Sequence, residues 1–220
     1  MLPRMTIMLD FDGTITRQDT TDLILESFAH PSWRDVEQDW ESGRIGSMEC
    51  MRRQVALIRA SAAELDAFAD QIAVDPHFPD LAHQCRARGI PLTIVSDGLD
   101  RVIMRVLARY DLRLPVRANR LVALSGGHWS LAFPNAASEC GAGTCKCGLA
   151  LAESEAVVLI GDGRSDFCVA ETAQIVFAKS KLADHCRRNG ISYLPFETLG
   201  DVAQWLTHAP VRTLKNGAVP

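Results

Sequence analysis

Three short stretches of this 220-residue chain set carboxylates, hydroxyls and glycines side by side: Asp10-Phe11-Asp12-Gly13-Thr14, Ser96-Asp97-Gly98 and Gly161-Asp162-Gly163-Arg164-Ser165-Asp166. Oxygen donors such as Asp10 and Asp162 suit a hard divalent cation, Mg2+ above all. Glycines let the backbone approach a ligand, and N–H groups at helix starts favour anions. Lys146, near a predicted helix start, adds a point positive charge. A cation, backbone donors, Ser96 and Lys146 together make a cradle for a phosphoryl group. In such a cradle Asp10 can attack phosphorus as a carboxylate nucleophile, and Asp12 can handle the leaving-group proton. One such stretch alone could be a helix cap, since Asp and Ser are good N-caps. Three of them at three strand ends point to one polar site.

The elements that must position these residues are legible from the apolar pattern. Met5–Leu9, Pro91–Val95, Ala156–Ile160 and Ile175–Ala178 read as short buried strands. The first three run directly into the three polar stretches, and ligands of an open parallel sheet bind outside the carboxyl ends of its strands. Helices are expected at Pro79–Arg88 with Gly89 as its stop, after Pro91–Val95 through Val102 and Leu107, at Lys146–Glu153, at Lys181–Asn189 with Gly190 as its stop, and at Asp201–His208. Leu121–Leu124 and Trp129–Phe133 flank Ser125-Gly126-Gly127-His128, a hairpin signal. Alternating strands and helices imply an α/β core with a parallel sheet, Rossmann-like in winding. From Asp19 to about Ala73 the pattern is helical throughout. Ser61-Ala62-Ala63-Glu64 is a capping box, and Ser47 is expected to cap the helix that passes through Met51 and Val55. The expected organisation is a core of 1–15 and 77–220 with a helical cap, 16–76, inserted into it. Val211–Pro220 is expected to be poorly ordered.

Bulk properties bound the function. Hydrophobic residues make up 47% and charged residues 23%, a globular balance, and the net charge of -4 disfavours a nucleic-acid binder. No apolar run reaches the roughly 18 residues of a membrane helix. The start, MLPRMTIMLDFDG, lacks the features of a signal peptide. The expectation is a cytoplasmic monomer or homodimer acting on a small phosphorylated metabolite, with its seven cysteines mostly reduced.

In order and spacing, Asp10-Phe11-Asp12-Gly13-Thr14, Ser96-Asp97-Gly98, Lys146 and Gly161-Asp162-Gly163-Arg164-Ser165-Asp166 resemble the four motifs of the haloacid dehalogenase superfamily. The helical stretch between the first two resembles the type I cap of its phosphoserine-phosphatase-like members. The resemblance implies roles position by position. Asp10 would be the nucleophile that forms an aspartyl-phosphate. Asp12 would be the general acid/base, its carbonyl a Mg2+ ligand. Thr14 would hold the first loop. Ser96 and the Gly98 amide would bind phosphate oxygens, with Asp97 and Ser165 counted in the same set. Lys146 would neutralise nucleophile and phosphate. Asp162 would ligate Mg2+, and Asp166 would support Lys146 or the metal shell.

The branch within that superfamily turns on departures. Phosphoserine phosphatases carry Glu where Asp19 stands and Ser-Gly-Gly where this chain has Ser96-Asp97-Gly98. The second and fourth motifs, with Val176-Phe177-Ala178 beyond, look more like the phosphatases of 2-hydroxy-3-keto-5-methylthiopentenyl 1-phosphate, a methionine-salvage intermediate. Asp19 is either a substrate contact or a cap for the helix at Thr20–Phe28. Arg52 and Arg53 either grip an anion or are solvated, and Trp33 and Trp40 read as packing. Cys140, Cys145 and Cys147 have three readings: a zinc site with His128, a redox-labile pair, or small residues of a glycine-rich loop. Transfer of phosphate to a small alcohol and non-catalytic binding of a phosphometabolite are the rival functions. An intact Asp10–Asp12–Lys146–Asp162 set argues against the second.

Overall fold

A computed structural model describes residues 5–208, so the tail Val211–Pro220 lies outside the described residues. In chain order the elements are β1 (Met5–Leu9), α1 (Thr20–Phe28), α2 (Trp33–Glu41), α3 (Ser47–Val55), α4 (Ala62–Ala69), α5 (Phe78–Ala87), β2 (Leu92–Leu99) and α6 (Asp100–Ala108). Then come β3 (Val116–Ala123), β4 (Trp129–Ala132), α7 (Lys146–Leu151), β5 (Ala156–Gly161), α8 (Phe167–Ala170), β6 (Ile175–Ala178), α9 (Ser180–Asn189), β7 (Leu194–Pro195) and α10 (Leu199–His208). The strands follow the hydrogen-bonded order β4-β3-β2-β1-β5-β6-β7, a mostly parallel seven-stranded α/β sheet.

Internal packing divides the described residues into two compact units: residues 5–17, 74–95 and 146–208 form the first, and residues 18–73 and 96–145 the second. In the first unit β1 pairs in parallel with β2 and with β5, β5 with β6, and β6 with β7. Strand β1 is buried from Thr6 to Leu9, and β6 over its whole length. Such continuous apolar runs are what strands covered on both faces require. Met8, Val95, Leu159 and Val176 build one core layer with Val169, Leu182 and Cys186. Where the first excursion leaves and re-enters this unit, Thr16 bridges Val74, and the Asp75 amide donates to the Ile15 carbonyl at 2.8 Å. Asp75 then caps α10, accepting from the Leu199 amide at 2.9 Å.

The second unit holds α1–α4, α6 and the antiparallel β3–β4 hairpin, with Ala123 opposite Trp129. The capping box at Ser61 forms as the sequence predicts. The cap predicted at Ser47 does not: Gly46 is the N-cap of α3, and Ser47 is its first helical residue. Helix α6 is tied to α4 by arginines one turn apart. Arg101 grips Asp66 and Arg105 grips Asp70, each by two N–H donors, and Arg109 donates to the carbonyls of Ala69 and Ile72. The Trp129 indole N–H donates to the Ala60 carbonyl at 2.8 Å, which joins the hairpin to the segment ahead of α4.

Strand β2 runs to Leu99, beyond the predicted end at Val95, so Ser96–Gly98 lie within its last four residues rather than in a loop. Among the described residues no helix is long and apolar enough to cross a membrane.

Candidate active site

Register brings the carboxylates of the first unit together. Leu9 is level with Ile160, and the Asp10 amide donates to the Ile160 carbonyl at 2.9 Å. The residue after β1 is therefore level with the end of β5, where Asp162 follows. The chain then closes a short 3-10 turn, Arg164–Asp166, which returns Asp166 to the same spot. Carboxylate oxygens of Asp10, Asp162 and Asp166 lie within 4.8 Å of one another.

Lys146, the first residue of α7, enters this cluster. Its Nζ donates to Asp10 Oδ1 and to Asp166 Oδ1, each at 2.6 Å. Lys146 is 1% exposed and Asp166 0%, so the ion pairs are shut off from water. A buried charge requires such partners, because each ion alone would forfeit its hydration. Asp166 Oδ2 also accepts from the Gly163 amide at 3.3 Å.

The loop after β1 is wound tightly: the amides of Thr14, Ile15 and Thr16 all donate to the Phe11 carbonyl. Gly13 has φ +72°, and a Cβ there would stand 2.5 Å from Asp162 Oδ2, so both the turn and the carboxylate exclude a side chain. Thr14, 1% exposed, donates its hydroxyl to Asp162 Oδ1 at 3.2 Å. It thus orients a carboxylate of the cluster as well as holding its own loop. Asp12 is half-buried on the same loop, and Ser165 is half-buried within the turn between Asp162 and Asp166.

Burial raises the pKa of Asp10 well above the ordinary carboxylate value, with the Asp166 charge adding to it and Lys146 pulling the other way. Asp162 is raised by burial and by Asp166. For Lys146 burial opposes the charge, but the carboxylates of Asp10 and Asp166 outweigh it, and the ammonium is held protonated. Three carboxylates against one ammonium leave a net charge of -2. Clustered hard oxygen donors with that excess are the donor set a divalent cation such as Mg2+ takes.

The remaining predicted site residues belong to the second unit. Ser96 is 1% exposed, and its Oγ accepts from the Gly98 amide at 2.9 Å. Asp97 accepts from Ser47 Oγ at 2.7 Å, from the Thr144 amide at 2.9 Å and from Asn119 Nδ2 at 3.0 Å. Sequence reasoning missed these partners. The strand predicted at Leu121–Leu124 begins at Val116 in the structure, which is what takes in Asn119. Asp19 caps α1, its Oδ1 accepting from the amides of Thr21 and Asp22 at 2.9 and 3.1 Å. Arg52 and Arg53 both pair with Glu49, and Arg52 lies over the Phe133 ring. The sulfurs of Cys140 and Cys145 lie within 4.8 Å of each other as thiols, with His128 outside that group.

Comparison with known proteins agrees with this arrangement. Residues 7–171 match the model of the haloacid dehalogenase-like hydrolase family. A 2-hydroxy-3-keto-5-methylthiopentenyl-1-phosphate phosphatase of Brevibacillus brevis is 31% identical over 94% of this chain and 96% of its own. The protein of the same name from Geobacillus kaustophilus is 30% identical over 96% and 99%. A substrate-bound phosphoserine phosphatase structure shares the fold at TM-score 0.67 and 18% identity, over 92% of this chain and 98% of that one. The family match spans β1 and its aspartates through the Asp162–Asp166 turn, so the residues that build the cluster are those it covers, and the chain belongs to the haloacid dehalogenase-like hydrolases.

Proposed function

We propose that this protein is a Mg2+-dependent phosphomonoesterase that works through an aspartyl-phosphate on Asp10. The observation that carries the reading is the buried Lys146 ammonium bridging Asp10 and Asp166 beside Asp162. The Lys146 bond fixes the orientation of the Asp10 carboxylate for attack on phosphorus. Asp12 protonates the departing oxygen, then takes a proton from the water that opens the acyl phosphate. Ser96, Gly98 and Ser165 are assigned to the phosphate oxygens. Asp10, Asp162, Asp166 and the Asp12 carbonyl would hold Mg2+. When bound, the cation offsets the excess negative charge and keeps Asp10 ionised.

For the substrate we take the enol phosphate of methionine salvage, 2-hydroxy-3-keto-5-methylthiopentenyl 1-phosphate, on the strength of the two bacterial relatives. Phosphoserine is disfavoured because Asp19 and Ser96-Asp97-Gly98 depart from the Glu and Ser-Gly-Gly of the phosphoserine phosphatases. Selectivity among small phosphomonoesters is assigned to the helical segment 16–76.

The test is release of orthophosphate from a panel that includes the enol phosphate, phosphoserine, phosphoethanolamine, pyridoxal phosphate, sugar phosphates and nucleoside monophosphates. Turnover is expected to vanish in EDTA and in Asp10→Asn. An Asp10→Asn protein with full activity refutes the mechanism. Tight ligand binding without turnover points to a binding protein instead.

A further inference from the structure

The second unit contains a buried polar knot that the catalytic reading leaves unused. Asn119, 0% exposed in β3, donates Nδ2 to both the carbonyl and the carboxylate of Asp97, at 2.5 and 3.0 Å. Its own Oδ1 accepts from Thr144 Oγ1 at 3.3 Å, and Thr144 is 1% exposed. Asp97 also accepts from the Thr144 amide and from Ser47 Oγ, the latter at 2.7 Å. Gly143 is shaped to this knot: a Cβ there would stand 2.5 Å from Asn119 Oδ1.

Two of these residues break local rules. Asparagine is a poor strand residue, yet it occupies a fully buried strand position. Serine favours the N-cap, yet Ser47 leaves that place to Gly46 and turns its hydroxyl to Asp97. Local rules broken at converging positions mark residues held for something other than the element they sit in.

The geometry says what that is. The Asp97 carbonyl and the Gly98 N–H belong to one planar peptide unit, so the bond from Asn119 to that carbonyl sets the direction of the Gly98 N–H. That N–H donates to Ser96 Oγ at 2.9 Å. Orientation therefore passes from Asn119 through the peptide plane to the Ser96 hydroxyl. Ser47 holds the carboxylate end of Asp97 and stops the side chain from turning.

We propose that Asn119 and Ser47 are positioning residues for the phosphate-binding segment Ser96–Gly98, both acting through Asp97. The proposal rests on the phosphatase reading. A phosphate site must hold its donors to roughly half an ångström, which a strand end lacking such bracing does not do.

The test uses inorganic phosphate as a competitive inhibitor in Mg2+, with KM and kcat for the best panel substrate, on Asn119→Asp, Ser47→Ala and Ser47→Thr. Asn119→Asp keeps the size and removes the donor. It is expected to weaken phosphate binding and raise KM by about tenfold or more, the scale of one hydrogen bond to a charged group. Ser47→Ala is expected to do the same by about three- to tenfold, and Ser47→Thr, which keeps the hydroxyl, to return within about twofold. Amide hydrogen exchange at Gly98 and Thr144 is expected to accelerate in Asn119→Asp and Ser47→Ala, whatever the activity. If Asn119→Asp fails to fold, the half-buried Ser47 pair decides alone. Phosphate affinity and KM unchanged within twofold, or unaltered exchange at Gly98 and Thr144, overturn the positioning role. A lowered melting temperature with unchanged phosphate affinity does so too. Wild-type protein that binds no inorganic phosphate overturns the phosphatase reading itself.

Discussion

Replacing Lys146 with methionine keeps most of the length of the side chain and removes its ammonium. Two contacts of 2.6 Å are lost, to Asp10 and Asp166, in a place where lysine is 1% and Asp166 0% exposed. Deleting one partner of a buried ion pair costs about 3–5 kcal/mol, because the other charge stays buried without compensation. Here two carboxylates lose their cation and Asp162 adds repulsion, so the loss at pH 8 is expected near the upper end, about 5 kcal/mol. The sign with pH follows from the upward shifts of Asp10 and Asp162. A carboxylate raised in the fold favours folding below its unfolded pKa, and that support disappears as pH rises through the folded value. Without Lys146 these shifts grow, so the variant recovers part of its deficit as pH falls and a carboxylate takes up a proton. Urea unfolding followed by tryptophan fluorescence, in EDTA at pH 5.5 and pH 8, reads both effects. At about 2–3 kcal/mol per molar urea, the midpoint at pH 8 should drop by roughly 2 M, and by clearly less at pH 5.5. A variant within about 1 kcal/mol of wild type at pH 8, or an equal loss at both pH values, refutes the account of the cluster as an over-negative site held by one lysine.

Two further predictions concern Gly13 and the buried thiols. Gly13→Ala puts a Cβ into Asp162 at a backbone φ of +72°, so about 1–2 kcal/mol of stability should be lost and the Mg2+ needed for half-maximal activity should rise several-fold; an unchanged Mg2+ titration counts against Asp162 as a ligand. Burial, with Glu37 nearby, pushes the Cys50 thiol up to about 12, and burial pushes Cys85 up to about 11, so at pH 8 only about 1 in 10,000 Cys50 groups is a thiolate. Iodoacetamide should label exposed Cys168 in the native protein and Cys50 and Cys85 only after unfolding, and peptide mapping that finds Cys50 labelled as fast as Cys168 contradicts this.

What could be read in the sequence and what could not divides along the range of the interactions. The apolar runs located β1, β5 and β6 to within a residue because that signal is local, and for β1 and β5 the aspartate just beyond the run, Asp10 or Asp162, marked the end. The meeting of Asp10, Asp162 and Asp166 follows from strand order plus register, both constrained by parallel winding, so a few residues of pattern imply contacts 150 positions apart. The α4–α6 tie and the Asp97 knot lack such a rule. Arg101, Arg105 and Arg109 form an ordinary charged helix stripe until α4 presents Asp66 and Asp70 to it. Ser47 looked like a helix cap because the partner it actually donates to, Asp97, is 50 residues away. A polar side chain chooses among partners by what the finished fold brings within 3 Å, and propensity speaks only for the local candidate. Residues that abandon their local preference are therefore the ones the sequence misassigns, and the same property marks Ser47 and Asn119 as worth mutating.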